Sequence, residues 1–159
     1  MNWAEVIDHI KKEYTTQEFY EPSYDRKQIL KRIEACFIKP SADYFHPNNY
    51  RGPFRDWWLN FQSPNYLLEC SAAQLLEKII EPDRPIWSAF QDINGSIWVY
   101  KSTLKPIMRL QPRDEVDVTF FIDLDYHYML AVKTVEKAIE VKYQGFSVQQ
   151  QQLITSFIM

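Results

Sequence analysis

The sequence predicts an α+β fold in which N-terminal helices pack on a C-terminal antiparallel sheet, in a single domain covering residues 1–159. Apolar residues recur at helical spacing in the first half of the chain, whereas the second half is mostly strand-like. Helices that come before strands are typical of α+β domains rather than of alternating βαβ units. A length of 159 residues with 46% hydrophobic residues suits one domain with an ordinary core.

The N-terminal segment predicts two helices. Asn2 is a suitable N-cap for the first helix, whose apolar stripe consists of Trp3, Val6, Ile7, Ile10 and Tyr14. The second helix is expected from about Tyr24 to Phe37, with Ser23 or Asp25 as its cap and Pro40 marking its end. Residues 38–53 are rich in Pro, Asn and Gly and are therefore predicted to form a loop.

The middle of the chain predicts two further helices around a short strand. A short helix is expected after Pro53, because four aromatic residues recur at helical spacing: Phe54, Trp57, Trp58 and Phe61. We expect the Trp57–Trp58 pair to pack in the core, and a peptide-binding surface is the alternative. Residues 65–70 are a candidate strand. Ser71 and Gln74 form a capping-box pattern, which predicts a helix that ends before Pro82.

The C-terminal half predicts mainly antiparallel strands. Asn94-Gly95 is a strong hairpin signal between strands at 86–91 and 96–101. Residues 103–110 predict a turn or a short helix, and further strands are expected at 116–123, 128–135 and 138–143. Ser147 is then a suitable cap for a last helix.

Several classes of function lack their sequence signatures here. The chain has three glycines and neither a dinucleotide-binding nor a Walker-type motif, so we expect no nucleotide cofactor. It also lacks a Gly-x-Ser-x-Gly elbow and a catalytic cysteine signature, so we expect no catalytic residue. Cys36 and Cys70 are expected to be buried reduced thiols, with a disulfide as the alternative. Because no long apolar segment occurs, we expect a cytoplasmic protein without a membrane partner.

Charge is distributed unevenly along the C-terminal half. A basic stretch containing Lys101, Lys105, Arg109 and Arg113 is followed at once by acidic residues from Asp114 to Asp125. The net charge is −3 and the sequence pI is about 5.6, which opposes general affinity for nucleic acids. The basic stretch is therefore expected to be a solvated surface, and any partner is expected to meet the acidic segment.

The acidic segment is the strongest candidate for a binding surface. Strand alternation would place Val118, Phe120 and Ile122 in the core and would expose Phe121 among acidic side chains on the other face. Acidic groups steer encounters with a basic protein, and aromatic rings anchor the complex. The alternative is a solvated outer face of the sheet. The predicted partner-binding residues are Asp114, Glu115, Asp117, Phe121, Asp123, Asp125, Tyr126 and Tyr128.

Asp123, Asp125 and His127 also form an Asp-x-Asp-x-His pattern. In an extended segment these three side chains would share one face and could bind a divalent metal or act as acid and base. This pattern gives the alternative function, a small metal-dependent hydrolase. Because a polar turn between two strands explains the same residues, we expect no metal site and no other cofactor.

The combination of a small acidic α+β chain, the aromatic segment from Phe54 to Phe61 and the late segment from Asp123 to Tyr128 resembles small bacterial immunity proteins of polymorphic and contact-dependent toxin systems. The resemblance is one of type and extends over the chain as a whole. It implies a binding protein without chemistry of its own, which neutralises a cognate toxin by plugging the active site or binding beside it. It also implies a basic partner, such as a nuclease toxin domain. The oligomeric state does not follow from the sequence.

Overall fold

The computed structural model describes residues 2–39, 57–61, 63–92, 96–110, 116–135 and 138–158. The described helices are α1 (Trp3–Glu13), α2 (Arg26–Phe37), α3 (Trp57–Asn60), α4 (Ala72–Ile79), α5 (Leu104–Arg109) and α6 (Val148–Thr155). The described strands are β1 (Phe19–Tyr20), β2 (Tyr66–Leu68), β3 (Ile86–Asp92), β4 (Ile97–Ser102), β5 (Val116–Ile122), β6 (Met129–Val135) and β7 (Ala138–Gln144). The chain therefore has the α+β fold that the sequence predicts.

The described strands form one sheet in the order β1-β4-β3-β5-β6-β7-β2, and each neighbouring pair is antiparallel. Strands β3 to β7 form the centre of the sheet. The N-terminal strands β1 and β2 occupy its two edges, where Phe19 pairs with Ser102 and Tyr66 pairs with Val141.

Helices α2 and α3 cover one face of the sheet. Ile29, Leu30 and Ile33 of α2 are buried against this face because they recur at helical spacing. Trp57 of α3 is completely buried, and its ring meets that of Phe120 edge-on with centroids 5.2 Å apart. Trp58 is also buried, which confirms the expected core position of this pair.

The remaining helices cover the opposite face. Buried residues of α4, α5 and α6 share a cluster with Phe121, Leu130 and Val141 of the central strands. At the β1–β4 side of the sheet, α1 buries Val6, Ile7 and Ile10. The sheet is therefore the middle layer between two helical layers, and its central strands have apolar side chains on both faces.

This second helical layer overturns one expectation from the sequence. Val118, Phe120 and Ile122 lie in the core as predicted, but Phe121 is also completely buried. Alternation along β5 is correct, yet the face that was expected to be exposed is covered by α4 and α6. Phe121 therefore has no surface with which to bind a partner.

The local helix signals are confirmed. Asn2 caps α1, and the capping box of Ser71 and Gln74 opens α4. Ser147 forms a second capping box with Gln150 at the start of α6. Two expectations differ from the structure: Asp25 is the N-cap of α2 but its side chain makes no capping hydrogen bond, and Cys36 is exposed whereas Cys70 is buried.

Some sequence predictions fall outside the described residues, namely the loop at 40–53, Phe54 and the Asn94-Gly95 turn. Among the helices that the structure describes, none combines the length and the apolar character needed to cross a membrane.

Candidate functional site

The connection between β5 and β6 is a tight turn formed by residues 123–128. The backbone N–H of Tyr126 donates to the carbonyl of Asp123 at 2.9 Å, and that of Asp123 donates to the carbonyl of Tyr128 at 3.3 Å. Tyr126 has a φ of +59°, a left-handed conformation that lets the chain reverse. Residues 123–128 therefore form the polar turn that one interpretation of this pattern expects. They do not form the extended segment that the metal-site interpretation assumes.

Contacts with the residues that follow β7 hold this turn in place. Gly145 has a φ of +83°, and a Cβ atom there would lie 2.0 Å from the carbonyl oxygen of His127. Only glycine permits such a close backbone approach. One residue further, the ring of Phe146 stacks on that of Tyr128 with centroids 4.5 Å apart. The turn is thus attached to the core on its C-terminal side.

The turn brings Asp123, Asp125 and His127 together. One ligand atom from each of these residues lies within 4.8 Å of the other two. Asp123 is buried, whereas Asp125 and His127 are exposed. Two oxygen donors and one nitrogen donor, spaced two positions apart in the sequence, therefore converge at the surface, although the segment is not extended.

Asp123 is the most enclosed of these groups, with a side chain only 6% exposed. Its Oδ2 lies 3.1 Å from Nδ1 of His127, and its Oδ1 lies 3.7 Å from Nη2 of Arg84. Neither contact is among the hydrogen bonds within the described residues, and the separation from Arg84 exceeds ordinary hydrogen-bond length. Within the described residues, the ion-pair partners of the carboxylate are thus one imidazole and one more distant guanidinium.

A pocket of about 80 Å³ opens beside this carboxylate. Residues that follow α4 form one side of the pocket, and Asp123 and Tyr128 form the other. Its lining consists of Ile79, Ile80, Glu81, Arg84, Ile86, Asp123, Tyr128 and Gln150. Glu81 is exposed and Ile86 is buried, so the lining combines exposed charged side chains with buried apolar ones.

Tyr128 shows the electrostatic character of the pocket. Burial raises the pKa of its phenol to about 12, and the negative charge of Asp123 contributes in the same direction. Arg84 opposes this effect, while Glu81 adds to it. Burial is thus the largest cause of the raised pKa, and the carboxylates of Asp123 and Glu81 further disfavour an anion at this position.

We name the acidic pocket by the residues that give it charge: Glu81, Arg84, Asp123 and Asp125. Three of them are carboxylates and one is a guanidinium; Asp125 is not part of the lining, but one of its ligand atoms lies within 4.8 Å of one on Asp123. The arrangement can attract and bind positively charged groups.

No family model, curated protein or solved structure matches this chain. The acidic pocket must therefore be interpreted from its own residues.

Of the predicted binding residues, Asp123, Asp125 and Tyr128 do come together at the acidic pocket or beside it. Tyr126 points elsewhere, since it is half-buried against the core below α2 and its ring lies 5.0 Å from the guanidinium carbon of Arg32. Asp114, Glu115 and the side chain of Asp117 lie outside the described residues and side chains.

Sequence reasoning missed Glu81 and Arg84. Both residues lie in the connection between α4 and β3, some forty residues before the turn at 123–128. The pairing of β3 with β5 brings this connection close to the turn. Pro82 and Pro85 around them indicate a connection of restricted conformation, but they do not indicate its neighbour. Only the order of the strands identifies the second half of the site.

Proposed function

We propose that this chain is a protein-binding domain of the immunity type, which neutralises a basic partner by covering that partner's functional surface with the acidic pocket. The observation that carries the proposal is the enclosed Asp123 carboxylate in a pocket that Glu81 also lines, with the exposed carboxylate of Asp125 close to it. The mechanism would be steric and electrostatic occlusion, with a toxin domain such as a nuclease as the partner.

Charge supports this assignment. The whole chain has a net charge of −3, and seven of its acidic residues but only three basic ones fall in the segment 114–159. Exposed carboxylates accelerate encounter with a basic surface, while enclosed ones contribute to the lifetime of the complex. Asp123 suits the second role because its side chain is only 6% exposed.

The binding surface differs from the sheet face that the sequence indicated. With Phe121 in the core, the aromatic contribution comes from Tyr128, whose ring lines the pocket. Tyrosine is a common anchor in protein interfaces, because it combines a large apolar area with a polar tip.

The test is co-expression with the product of the adjacent upstream gene. We expect that product to be toxic alone, and to co-purify with this chain when the two are expressed together. Glu81→Lys with Asp125→Lys should weaken binding by about 100-fold, because two exposed carboxylates become repulsive toward a basic surface. Asp123→Lys is unsuitable, since a charge reversal at a buried position would destabilise the fold.

Asp8→Lys with Glu69→Lys is the matched control, because both residues are exposed, lie in other parts of the chain and give the same change in net charge. We expect this variant to bind as the unaltered chain does. A harmless neighbouring gene product, or equal binding by both double variants, would contradict the proposal.

The alternative function, a metal-dependent hydrolase, first requires a metal at Asp123, Asp125 and His127. Metal binding is a separate property, and it would not in itself establish hydrolysis.

A further inference from the structure

We propose that the turn between β5 and β6 binds one divalent transition-metal cation, such as Zn²⁺ or Mn²⁺, through Asp123, Asp125 and His127. The proposal concerns the isolated chain and does not depend on a protein partner. It rests on the convergence of the three ligands, on the burial of the Asp123 carboxylate with few close partners and on the kinds of donor atom present.

The ligand atoms of Asp123, Asp125 and His127 converge on one place. The three ligand atoms lie within 4.8 Å of one another, so one ion between them can approach each atom with small side-chain movements. The Asp123 Oδ2 to His127 Nδ1 distance of 3.1 Å is close to the edge of a tetrahedron around Zn²⁺, which is about 3.4 Å for metal–ligand bonds of about 2.1 Å. Two of the three ligands are thus already near their bound separation.

The buried environment of the Asp123 carboxylate independently favours a bound cation. A carboxylate that is 94% buried normally accepts several hydrogen bonds, because removing a charge from water is costly. Within the described residues its side chain has only two ion-pair contacts, one of them the 3.7 Å contact with Arg84. The Arg84 side chain is 58% exposed, so solvent weakens that pairing. A bound cation would add to the limited compensation that these two contacts provide.

Repulsion between the carboxylates of Asp123 and Asp125 also favours a bound cation. Asp125 brings a second carboxylate to the same place, and two carboxylates this close repel each other unless a cation lies between them. Arg84 is in contact with Asp123 and is the guanidinium in the pocket lining. A divalent ion bound by both carboxylates would remove the repulsion directly.

The donor atoms select the class of metal. Ca²⁺ and Mg²⁺ favour sites made entirely of oxygen, whereas an imidazole nitrogen with carboxylates suits Zn²⁺, Mn²⁺ and related ions. Three protein ligands leave a further coordination position for water. The adjoining pocket of about 80 Å³ has room for it, since a water molecule occupies about 30 Å³.

The experiment is a calorimetric titration of chelator-treated protein with ZnCl₂ and, separately, with MnCl₂, CaCl₂ and MgCl₂. The protein is used as a Cys36→Ser variant, so that the exposed Cys36 thiol cannot bind zinc. We expect one Zn²⁺ per chain and weaker binding of Ca²⁺ and Mg²⁺. Asp125→Asn and His127→Ala should each lower the zinc affinity at least tenfold, and both residues are exposed, so these variants should fold.

Two further variants sharpen the test. Arg84→Gln should raise the zinc affinity severalfold, because it removes a positive charge beside Asp123. Asp8→Asn with His9→Ala, in which both altered residues are exposed on α1, should leave the affinity unchanged. Circular dichroism confirms that each variant is folded.

Absence of stoichiometric Zn²⁺ binding would overturn the proposal, as would an unchanged affinity in Asp125→Asn or His127→Ala. Weaker binding in Arg84→Gln would also contradict it. Because no partner is present, these results do not depend on the outcome of the co-expression test.

Discussion

Gly145 determines how closely the turn at 123–128 can approach the end of β7. Its φ is +83°, and the carbonyl oxygen of His127 occupies the place where a Cβ atom would stand. Any side chain at this position must therefore move one backbone segment away from the other. The position of His127, and with it the geometry of the proposed metal site, depends on this single glycine.

We expect Gly145→Ala to lower the free energy of unfolding by about 2 kcal/mol or more, since backbone strain at positive φ adds to a clash with backbone atoms. Urea denaturation measures the change. Gly145→Asn is the informative comparison, because asparagine tolerates positive φ but still carries a Cβ atom. We expect it to be nearly as destabilising, and a neutral effect of Gly145→Asn would show that the clash is relieved without cost.

At the residue scale the sequence predicts which groups carry charge but not which of them are enclosed. Asp123 and Asp125 have the same chemistry and stand two positions apart, yet one is buried and the other exposed. The difference arises because Tyr128, Arg84 and Ile86 surround Asp123, and two of these come from a distant segment. The sequence around Gly145 also does not indicate that this position requires glycine, because the residue that approaches it closely, His127, lies across the β6–β7 hairpin.

Among the elements, the helix caps were the most predictable features. A cap and its partner stand three residues apart, so the short sequence contains the whole interaction. Ser71 accepts a hydrogen bond from the backbone N–H of Gln74 at 3.1 Å, and the Gln74 side chain accepts one from the N–H of Ser71 at 3.1 Å. Helix α4 then leads directly into the connection that bears Glu81 and Arg84.

We expect Ser71→Ala to lower the free energy of unfolding by about 1 kcal/mol, because it leaves an N–H at the start of α4 without its partner. Asp25→Ala is the matched comparison at the start of α2, and should cost less because the Asp25 side chain makes no capping hydrogen bond. Urea denaturation of both variants checks the prediction. Equal losses would contradict it.

Short strands were the least predictable elements. β1 contains only Phe19 and Tyr20, and it exists because β4 offers them backbone partners at Ser102 and Lys101. Two residues have no recognisable alternation, so no sequence pattern predicts such a strand. The sequence predicts the longer strands β5, β6 and β7 to within about one residue of their ends, because each has seven residues that include several β-branched or aromatic ones.

At the scale of the whole molecule, helices lie on both faces of the sheet. The sequence predicts the α+β class from the order of its elements, but it does not show which helices return to which face. That arrangement decides whether Phe121 belongs to the surface or to the core, and it is the reason that the exposed aromatic face expected from alternation is absent from the described part of β5.

The burial of Phe121 leads to a direct prediction. Phe121→Ala should lower the free energy of unfolding by about 3–5 kcal/mol, because it leaves a cavity beneath α4 and α6. Leu67→Ala is the comparison, since Leu67 lies on the edge strand β2 and is 45% exposed, and should cost less than about 1 kcal/mol. Urea denaturation distinguishes the two, and a small effect of Phe121→Ala would contradict its placement in the core.

The positions of β1 and β2 at the two edges of the sheet have a consequence for the order of folding. Both segments leave the ribosome before β4 and β7, the strands with which they pair. Strands β3 to β7 are contiguous in sequence and joined largely by hairpins, so their contacts close short loops and form early. The segments of β1 and β2 can therefore pair only after the central strands have been made, and as very short edge strands they leave little backbone on which another chain could add.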